Sequence, residues 1–466
     1  MAATSAAPTE LGTRKVSTLL RQYAIPGIIA QVAAAFYNIV DSIYIGHIPG
    51  VGASAITGLA VTFPLMNLSI AMGTLVGVGA MTLISVLLGQ RNYQAAQKVL
   101  SNVLTLNVLI GLVFSVVTLS FLDPILRFFG ASDVTLPFAR DYMSIILAGN
   151  AFTHLYFGFN GLIRASGHPR VAMGLTLFTV ISNAILDPVF IFVLGMGIRG
   201  AAIATVLCQL LALFYTLRFF SDKSRLLHFS KPLFQLDWHV AKQSLAIGVG
   251  PFMMNAAASM VALFINQQLG KYSGDLAIGA YGIVNRLTMF FVMINMGFSQ
   301  GLQPIAGYNY GARQYTRVRE VFFLTARWEV LVTTLCFLVS ELIPRSTVSL
   351  FTNDPELIDF ASRGLRIMNC GFALVGFGMV TGNFFQCLGM VRKSIFLSLS
   401  RQLLFLLPLI YTLPLWLQET GVWVSFPISD TLNVIISAIL IVRLFRKFDR
   451  LKDGENPDIL GSSIQS

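Results

Sequence analysis

Two aspartates stand where a charge is costly. Asp41 lies in AAAFYNIVDSIYIG (33–46) and Asp187 in ISNAILDPVF, both inside apolar runs long enough to cross a membrane. A charged side chain at a bilayer centre costs from roughly 3 to more than about 10 kcal/mol, so such residues face a cavity or a partner. Each lies about seven residues before the outer end of its run, near Ile48-Pro49 and Leu194. At about 1.5 Å per residue, both carboxyls sit roughly 10 Å below one face. Two carboxyls at one depth can share a cation, or one can hold a proton while the other ionises. Asn183 shares a helix face with Asp187, four residues on, and Thr205 lies about five residues into the next run. Their neutral oxygens suit a Na+ shell or the tuning of a proton site. Pro188 removes a backbone donor and bends the helix beside Asp187. The plainer alternative is that each aspartate only bonds a neighbouring helix; the matched depth favours the cation site.

Other polar residues within runs are less decisive. Asp430, in VSFPISDTLNV, can be a second cation group, a contact for a cationic substrate or a buried hydrogen-bonding residue. Arg286, in AYGIVNRLTM, either pairs with Asp430 or snorkels along a cavity. Tyr37, Asn38, Asn150, His154, Tyr156 and Asn160 can line a substrate cavity with these two, although helix packing is the simpler use of each. An accessible His154 would titrate near neutral pH. Cys208, Cys336, Cys370 and Cys387 stand alone in apolar context, which indicates neither a disulfide framework nor a metal site. No phosphate-cradling Gly-x-x-x-x-Gly-Lys-Ser/Thr loop and no Ser/His/Asp set is found, so neither an enzyme nor a bound cofactor is expected. Work would have to come from an ion gradient, worth about 2.3 kcal/mol per charge per 100 mV.

The surrounding chain is built for lipid. Of 466 residues, 55% are hydrophobic and 11% charged, against about 25% charged in soluble domains. The net charge of +11 is dispersed in short clusters between apolar runs, which reads as an orientation signal and not as a nucleic-acid surface. Twelve runs are expected to span, at 23–46, 54–87, 99–121, 138–164, 171–194, 201–220, 243–269, 277–309, 321–343, 357–388, 394–417 and 422–445. Basic residues concentrate in the even connections (GQRNYQAAQK, IRASGHPR, RFFSDKSRLLHFSKP, NYGARQYTRVRE, MVRKS) and in both tails, which places the two termini in the cytoplasm. The first 20 residues lack the core of a signal peptide.

The predicted fold is therefore all-α and integral to the membrane, with twelve transmembrane helices in two pseudo-symmetric six-helix bundles. The expected divisions are a tail (1–22), an N-terminal bundle (23–220), a linker (221–242), a C-terminal bundle (243–445) and a second tail (446–466). An internal repeat supports the halving. GQRNY at 89–93 recurs as GARQY at 311–315, and GHPR at 167–170 recurs as GMVR at 389–392, both at an offset of 222. Pro26 and Pro251 stand at nearly the same offset. The repeat sets Asn266 opposite Asp41 and Leu409 opposite Asp187, so the acid pair belongs to the first half alone.

Pro26, YNIVDSIYIG, GQRNYQAAQK, IRASGHPR, Asn183 with Asp187-Pro188, and GIRGAAIAT resemble the multidrug and toxic compound extrusion (MATE) family, above all its prokaryotic branch of DinF-like and MepA-like exporters. The resemblance covers nearly the whole chain outside the tails. It implies two bundles around a cleft and antiport of cationic or amphipathic compounds against H+ or Na+, in a prokaryotic plasma membrane, with no cofactor besides the coupling ion. It further implies drug-like substrates and lipids as partners, no nucleic acid, and a monomer. By position it carries the cation site onto Asp41, Asn183, Asp187 and Thr205, and the bending proline onto Pro26. Some members use acids of the C-terminal bundle; here Asn266 and Asn383 are expected to offer no such cluster. A lipid-linked saccharide flippase would need several arginines within spans, where Arg286 is the one expected. A passive channel or non-transporting scaffold is the alternative of another class.

Overall fold

A computed structural model describes residues 10–230, 234 and 236–455, and these contain helices and connections but no strand. The long helices run in order as α1 (Val16–Gly46), α2 (Ser54–Gly89), α3 (Tyr93–Ser120), α4 (Leu136–Ala148 and Asn150–Ala165), α5 (Pro169–Val193), α6 (Ile198–Ser221), α7 (Trp238–Gly274), α8 (Leu276–Gly311), α9 (Tyr315–Leu342), α10 (Pro355–Asn369 and Phe372–Cys387), α11 (Val391–Leu417) and α12 (Glu419–Phe448). Among the described residues, ten are each long and apolar enough to cross a membrane, and α10, bent by 52°, makes an eleventh. The two pieces of α4 fill the remaining place, meeting at Gly149, where a Cβ would lie 2.5 Å from Val206.

Boundaries follow local chemistry. Asn92 caps α3 by accepting from the Ala95 N–H at 3.1 Å, and Pro169 opens α5 where its missing N–H costs nothing. Gly274, at φ 66°, turns the chain between α7 and α8. The first helix begins at Val16 and not at 23, because Leu19 and Leu20 are buried.

The chain forms two compact units. One runs from Ile29 to Phe252 and includes Glu10–Thr13; the other joins Arg14–Ile28 to the chain from Met253 onward. The crossings thus fall inside α1 and α7 and not in the connection at 221–242, and each follows closely after a proline, Pro26 or Pro251. Close backbone packing explains the membership. In the second unit, Gly27, Gly297 and Gly301 bring residues 24–28 against α8, with Cβ positions 2.5–2.7 Å from the facing backbone. In the first, Gly79 and Gly248 bring the start of α7 against α2.

The repeat is written in the backbone. Arg91 and Arg313, at equivalent positions of the two halves, take φ 58° and 59°. Gly167 and Gly389 are also left-handed, as are Gly197 and Gln418, whose φ/ψ of 57°/−138° and 52°/−135° nearly coincide. Both fifth helices widen into a π-turn, at Val189–Val193 and Ser400–Leu406.

The connection between the halves is docked onto the first unit. Gln97 donates to the His228 carbonyl (2.8 Å), the Asp237 N–H donates to Asn102 (3.1 Å), and Phe229 packs on Phe159 and Phe220. The expected second tail is likewise tied down where it is described: Asp449 pairs with Arg319 at 2.7 Å and the Gly454 N–H donates to the Arg313 carbonyl at 2.9 Å. In the α4–α5 connection, His168 packs edge-on against Phe219, over which the Arg225 guanidinium lies at 3.8 Å. Burial first, and the Arg225 charge second, hold this imidazole below its ordinary 6.5. The docked connection therefore has its full stability above 6.5 and loses it as pH falls below, where an undocked histidine takes a proton that the docked one resists. Hydrogen exchange across 221–230, corrected for intrinsic rates, should rise on acidification, and His168→Phe should flatten that rise.

Candidate functional site

Three helices of the first unit converge on one polar cluster. α1 carries Tyr37 and Asp41 one turn apart, α5 carries Asn183 and Asp187 one turn apart, and α6 supplies Thr205. Asn183 Nδ2 donates to Thr205 Oγ1 at 3.2 Å, and the Tyr37 hydroxyl shares a hydrogen bond with the same oxygen at 3.0 Å. The Asp41 and Asp187 carboxyls lie within hydrogen-bonding reach of each other. Asp187 is fully buried (0% exposed) and Asp41 nearly so (6%), whereas Tyr37 and Thr205 are half-buried.

The arrangement is rich in acceptors and poor in donors. Asp41 Oδ1, both Asp187 oxygens and Asn183 Oδ1 are buried with no hydrogen-bond donor among the described residues. Two carboxyls can bond each other only when one is protonated, and two carboxylates at that range need a cation between them. Carboxylate, amide and hydroxyl oxygens are also what Na+ selects, so the residues fit either ion.

Local sequence builds this convergence. Pro188 lacks the N–H that would bond the Ala184 carbonyl, and the helix widens at once, with the Leu194 N–H bonding Val189 at 2.9 Å. Gly200 then lets α6 approach α5: a Cβ there would sit 2.7 Å from the Phe190 carbonyl. That approach carries Thr205 to Asn183.

The other expected residues scatter. Asn150 and His154 are buried at the α2–α4 contact, where Ser69 donates to Asn150 Oδ1 (2.5 Å) and His154 Nε2 meets the Ser69 carbonyl (2.9 Å). Asn160 joins α4 to α5 through Thr176 and the Ala172 carbonyl, and bonds the buried Tyr156 hydroxyl one turn back on α4. Asn150, His154 and Asn160 thus bind helices together. Tyr37 belongs to the acid cluster; the Asn38 side chain lies outside the described residues.

Two corrections concern the second unit. Asp430 pairs with Arg401, whose Nε donates to Oδ1 at 2.6 Å, and not with Arg286, which is exposed and without an ion pair among the described residues. Arg401 lies in the π-turn of α11, inside a span, so Arg286 does not stand alone there. Asn266 is exposed, as a position without a site should be. Asn383, however, does connect to one buried acid: it donates to Ser299 Oγ (2.7 Å), which donates to Glu329 Oε1 (2.8 Å). Glu329, in ARWEVLV, and Arg401, in LSLSRQLLF, escape a reading that counts most charges as loop or helix-end residues. Scanning every span for single charges finds both.

A family model, MatE, matches the chain twice, at 26–189 and 251–412, once in each half and each time from the proline. The chain belongs to the MatE family. Among its relatives, multidrug export protein MepA of Staphylococcus haemolyticus is 28% identical over 425 residues, covering 91% of this chain and 93% of that one. MepA of Staphylococcus aureus strain MSSA476 is 28% identical over 432 residues (93% and 94%). Among solved structures, the MATE multidrug transporter DinF-BH in complex with rhodamine 6G is 35% identical, covers 95% of this chain and 98% of its own, and superposes with a TM-score of 0.86. A MATE in a bent conformation shares the fold at 23% identity and a TM-score of 0.87 (94% and 98% covered). This MatE chain is thus a multi-pass membrane transporter and not an enzyme, with the family's twelve helices in two bundles.

Because Gly200 sets the α5–α6 approach, Gly200→Ala should destabilise the detergent-purified protein by about 1–3 kcal/mol and lower its melting temperature. Gly174→Ala, where a Cβ meets nothing within 4 Å, should not.

Proposed function

We propose that this chain exports cationic or amphipathic organic compounds by antiport against H+ or Na+, with the coupling ion held by Asp41, Asn183, Asp187 and Thr205. The observation that carries this is the set of buried acceptor oxygens, without donors among the described residues, where two aspartates meet. One cation satisfies the cluster, and its departure leaves two acids that cannot both stay ionised together. The Tyr37–Thr205 side, half-buried, is the route by which the ion enters and leaves. MepA is named a multidrug export protein and DinF-BH is described with rhodamine 6G, which supports drug-like compounds as the exported class.

Alternating access is the matching motion. Pro26 and Pro251 interrupt the helical ladder where the chain passes from one unit to the other, so bending there re-aims whole units with few bonds broken. The protein works as a monomer in a prokaryotic plasma membrane with both termini cytoplasmic, following its basic connections. The flippase reading is weaker, since Asp430 neutralises Arg401 and a pyrophosphate would want several free arginines.

Vesicles loaded with rhodamine 6G, with Na+ and H+ gradients imposed separately, test this. Efflux driven by one gradient is expected, and Asp41→Asn and Asp187→Asn should each abolish it while the protein still reaches the membrane. Wild-type efflux in both variants would overturn the assignment.

A further inference from the structure

The second unit contains a buried acid that the proposed coupling site does not use. Glu329 sits near the middle of α9 with its side chain fully buried (0% exposed), and Oε2 has no partner among the described residues. Its other oxygen ends a directed chain, in which Asn383 of α10 donates to Ser299 of α8 and Ser299 donates to Glu329 Oε1. From α8, Asn295 lies one turn from Ser299, buried, and its Oδ1 also lacks a donor among the described residues. Gly376 lets α10 press against the Glu329 backbone, since a Cβ there would lie 2.6 Å from its carbonyl.

Among the described residues no basic group offsets this carboxyl. The titratable side chain facing it is the Cys387 thiol, one turn beyond Asn383 on α10. On α9 itself Arg327 is exposed, and Arg319, about 15 Å away along the helix, pairs with Asp449 of α12. α12 otherwise meets α9 through Phe445 on Phe322, its Asp430 being held by Arg401. Arg363 and Arg366 of α10 are exposed, the latter paired with Glu341, as is Arg286 of α8. An ionised carboxylate in such a place is costly, whereas a proton on the carboxyl removes the charge.

We infer that Glu329 is a proton-binding site of the second unit, filled and emptied through the Ser299 hydroxyl, which the Asn383 amide orients. Ser299 and Asn383 are both half-buried, so the chain leads from partly accessible groups to a sealed acid. Ser299 gives its hydroxyl proton to Oε1 as it takes one from water, while the Asn383 amide fixes the hydroxyl's direction; hydrogens aimed at the carboxyl oppose a metal cation, which needs lone pairs from the same atoms. The proton passes between solvent water and the carboxyl, and nothing else is consumed. The equivalent position of the first half is Asn107, equally buried and with both polar atoms unpartnered among the described residues. The interior is therefore polar at this level in both halves, but only the second half has a group there that can titrate. This site does not depend on whether Asp41 and Asp187 couple transport.

Infrared spectra of the reconstituted full-length protein, with glutamate carbon labelled, read the carboxyl directly. We expect a protonated-glutamate band that grows on acidification and fades in alkali, persists in the Asp41→Asn/Asp187→Asn protein, and is lost in Glu329→Gln. Ser299→Ala, which keeps the acid, should shift the band's midpoint and serves if Glu329→Gln does not fold. Replacing K+ by Na+ should leave the midpoint in place. A band of constant intensity at every pH, no band that depends on Glu329, an unmoved midpoint in Ser299→Ala, or displacement by Na+ would each overturn the inference.

Discussion

The first unit is organised around buried oxygens that have no donor among the described residues. Two carboxylates about 4 Å apart repel by roughly 4 kcal/mol at an effective dielectric constant near 20, before the cost of burial is counted. Asp41 and Asp187 lie close together and buried, with unpartnered oxygens on both and on Asn183. A bound cation or a shared proton turns this liability into cohesion. The surrounding devices serve that convergence: Gly200 narrows the α5–α6 gap, Pro188 and the π-turn reshape α5, and the shared Thr205 oxygen ties Tyr37 of α1 to Asn183 of α5. On the proposed function, the ion's free energy would go into holding three helices together, and its loss would be felt by α1, the helix in which the chain changes unit.

The duplication separates scaffold from chemistry. Left-handed residues, π-turns and close glycines recur between the halves at offsets of 221 to 222 or in the equivalent helix, down to Gly200 and Gly421, each of which brings its sixth helix against the preceding fifth. The buried charged residues do not recur. The first half has its acids on α1 and α5, while the second has the Arg401–Asp430 pair across α11 and α12 and the solitary Glu329 on α9. A backbone repeated for mechanical reasons thus carries two different electrostatic centres, free to diverge because helix packing depends on small residues and apolar faces.

Much of this was legible in the residues. Hydropathy and the basic clusters mark out twelve spans, and MatE matches beginning at Pro26 and Pro251 agree with the sequence offset. Depth counting from the outer ends brought Asp41 and Asp187 to one level even though the counted stretch of α5 contains the π-turn at Val189–Val193, because one extra residue shifts depth by only about 1.5 Å. Side-chain direction was harder to read: Asn150, His154 and Asn160 have the composition of a cavity lining but bond neighbouring helices, and Tyr156 is buried. The steady rise along a helix, about 1.5 Å per residue, fixes depth, whereas the face a residue presents depends on the helix's neighbours. Arg401 and Glu329 escaped for a different reason: Arg401 is the single charge of an apolar run and Glu329 stands beside the exposed Arg327, so neither shifts mean composition much. The unit boundary was equally hidden, since a connection rich in charge looks like a linker while the actual crossings fall inside two apolar helices.

The central claim is that a cation occupies the Asp41–Asp187 cluster and leaves it as an organic substrate is taken up. Its most direct measurement is the release of protons or Na+ when rhodamine 6G binds to purified protein, recorded with a pH indicator and with labelled sodium. The account predicts cation release on dye binding by the wild type and none by the Asp41→Asn/Asp187→Asn protein. Equal release by both proteins would contradict it.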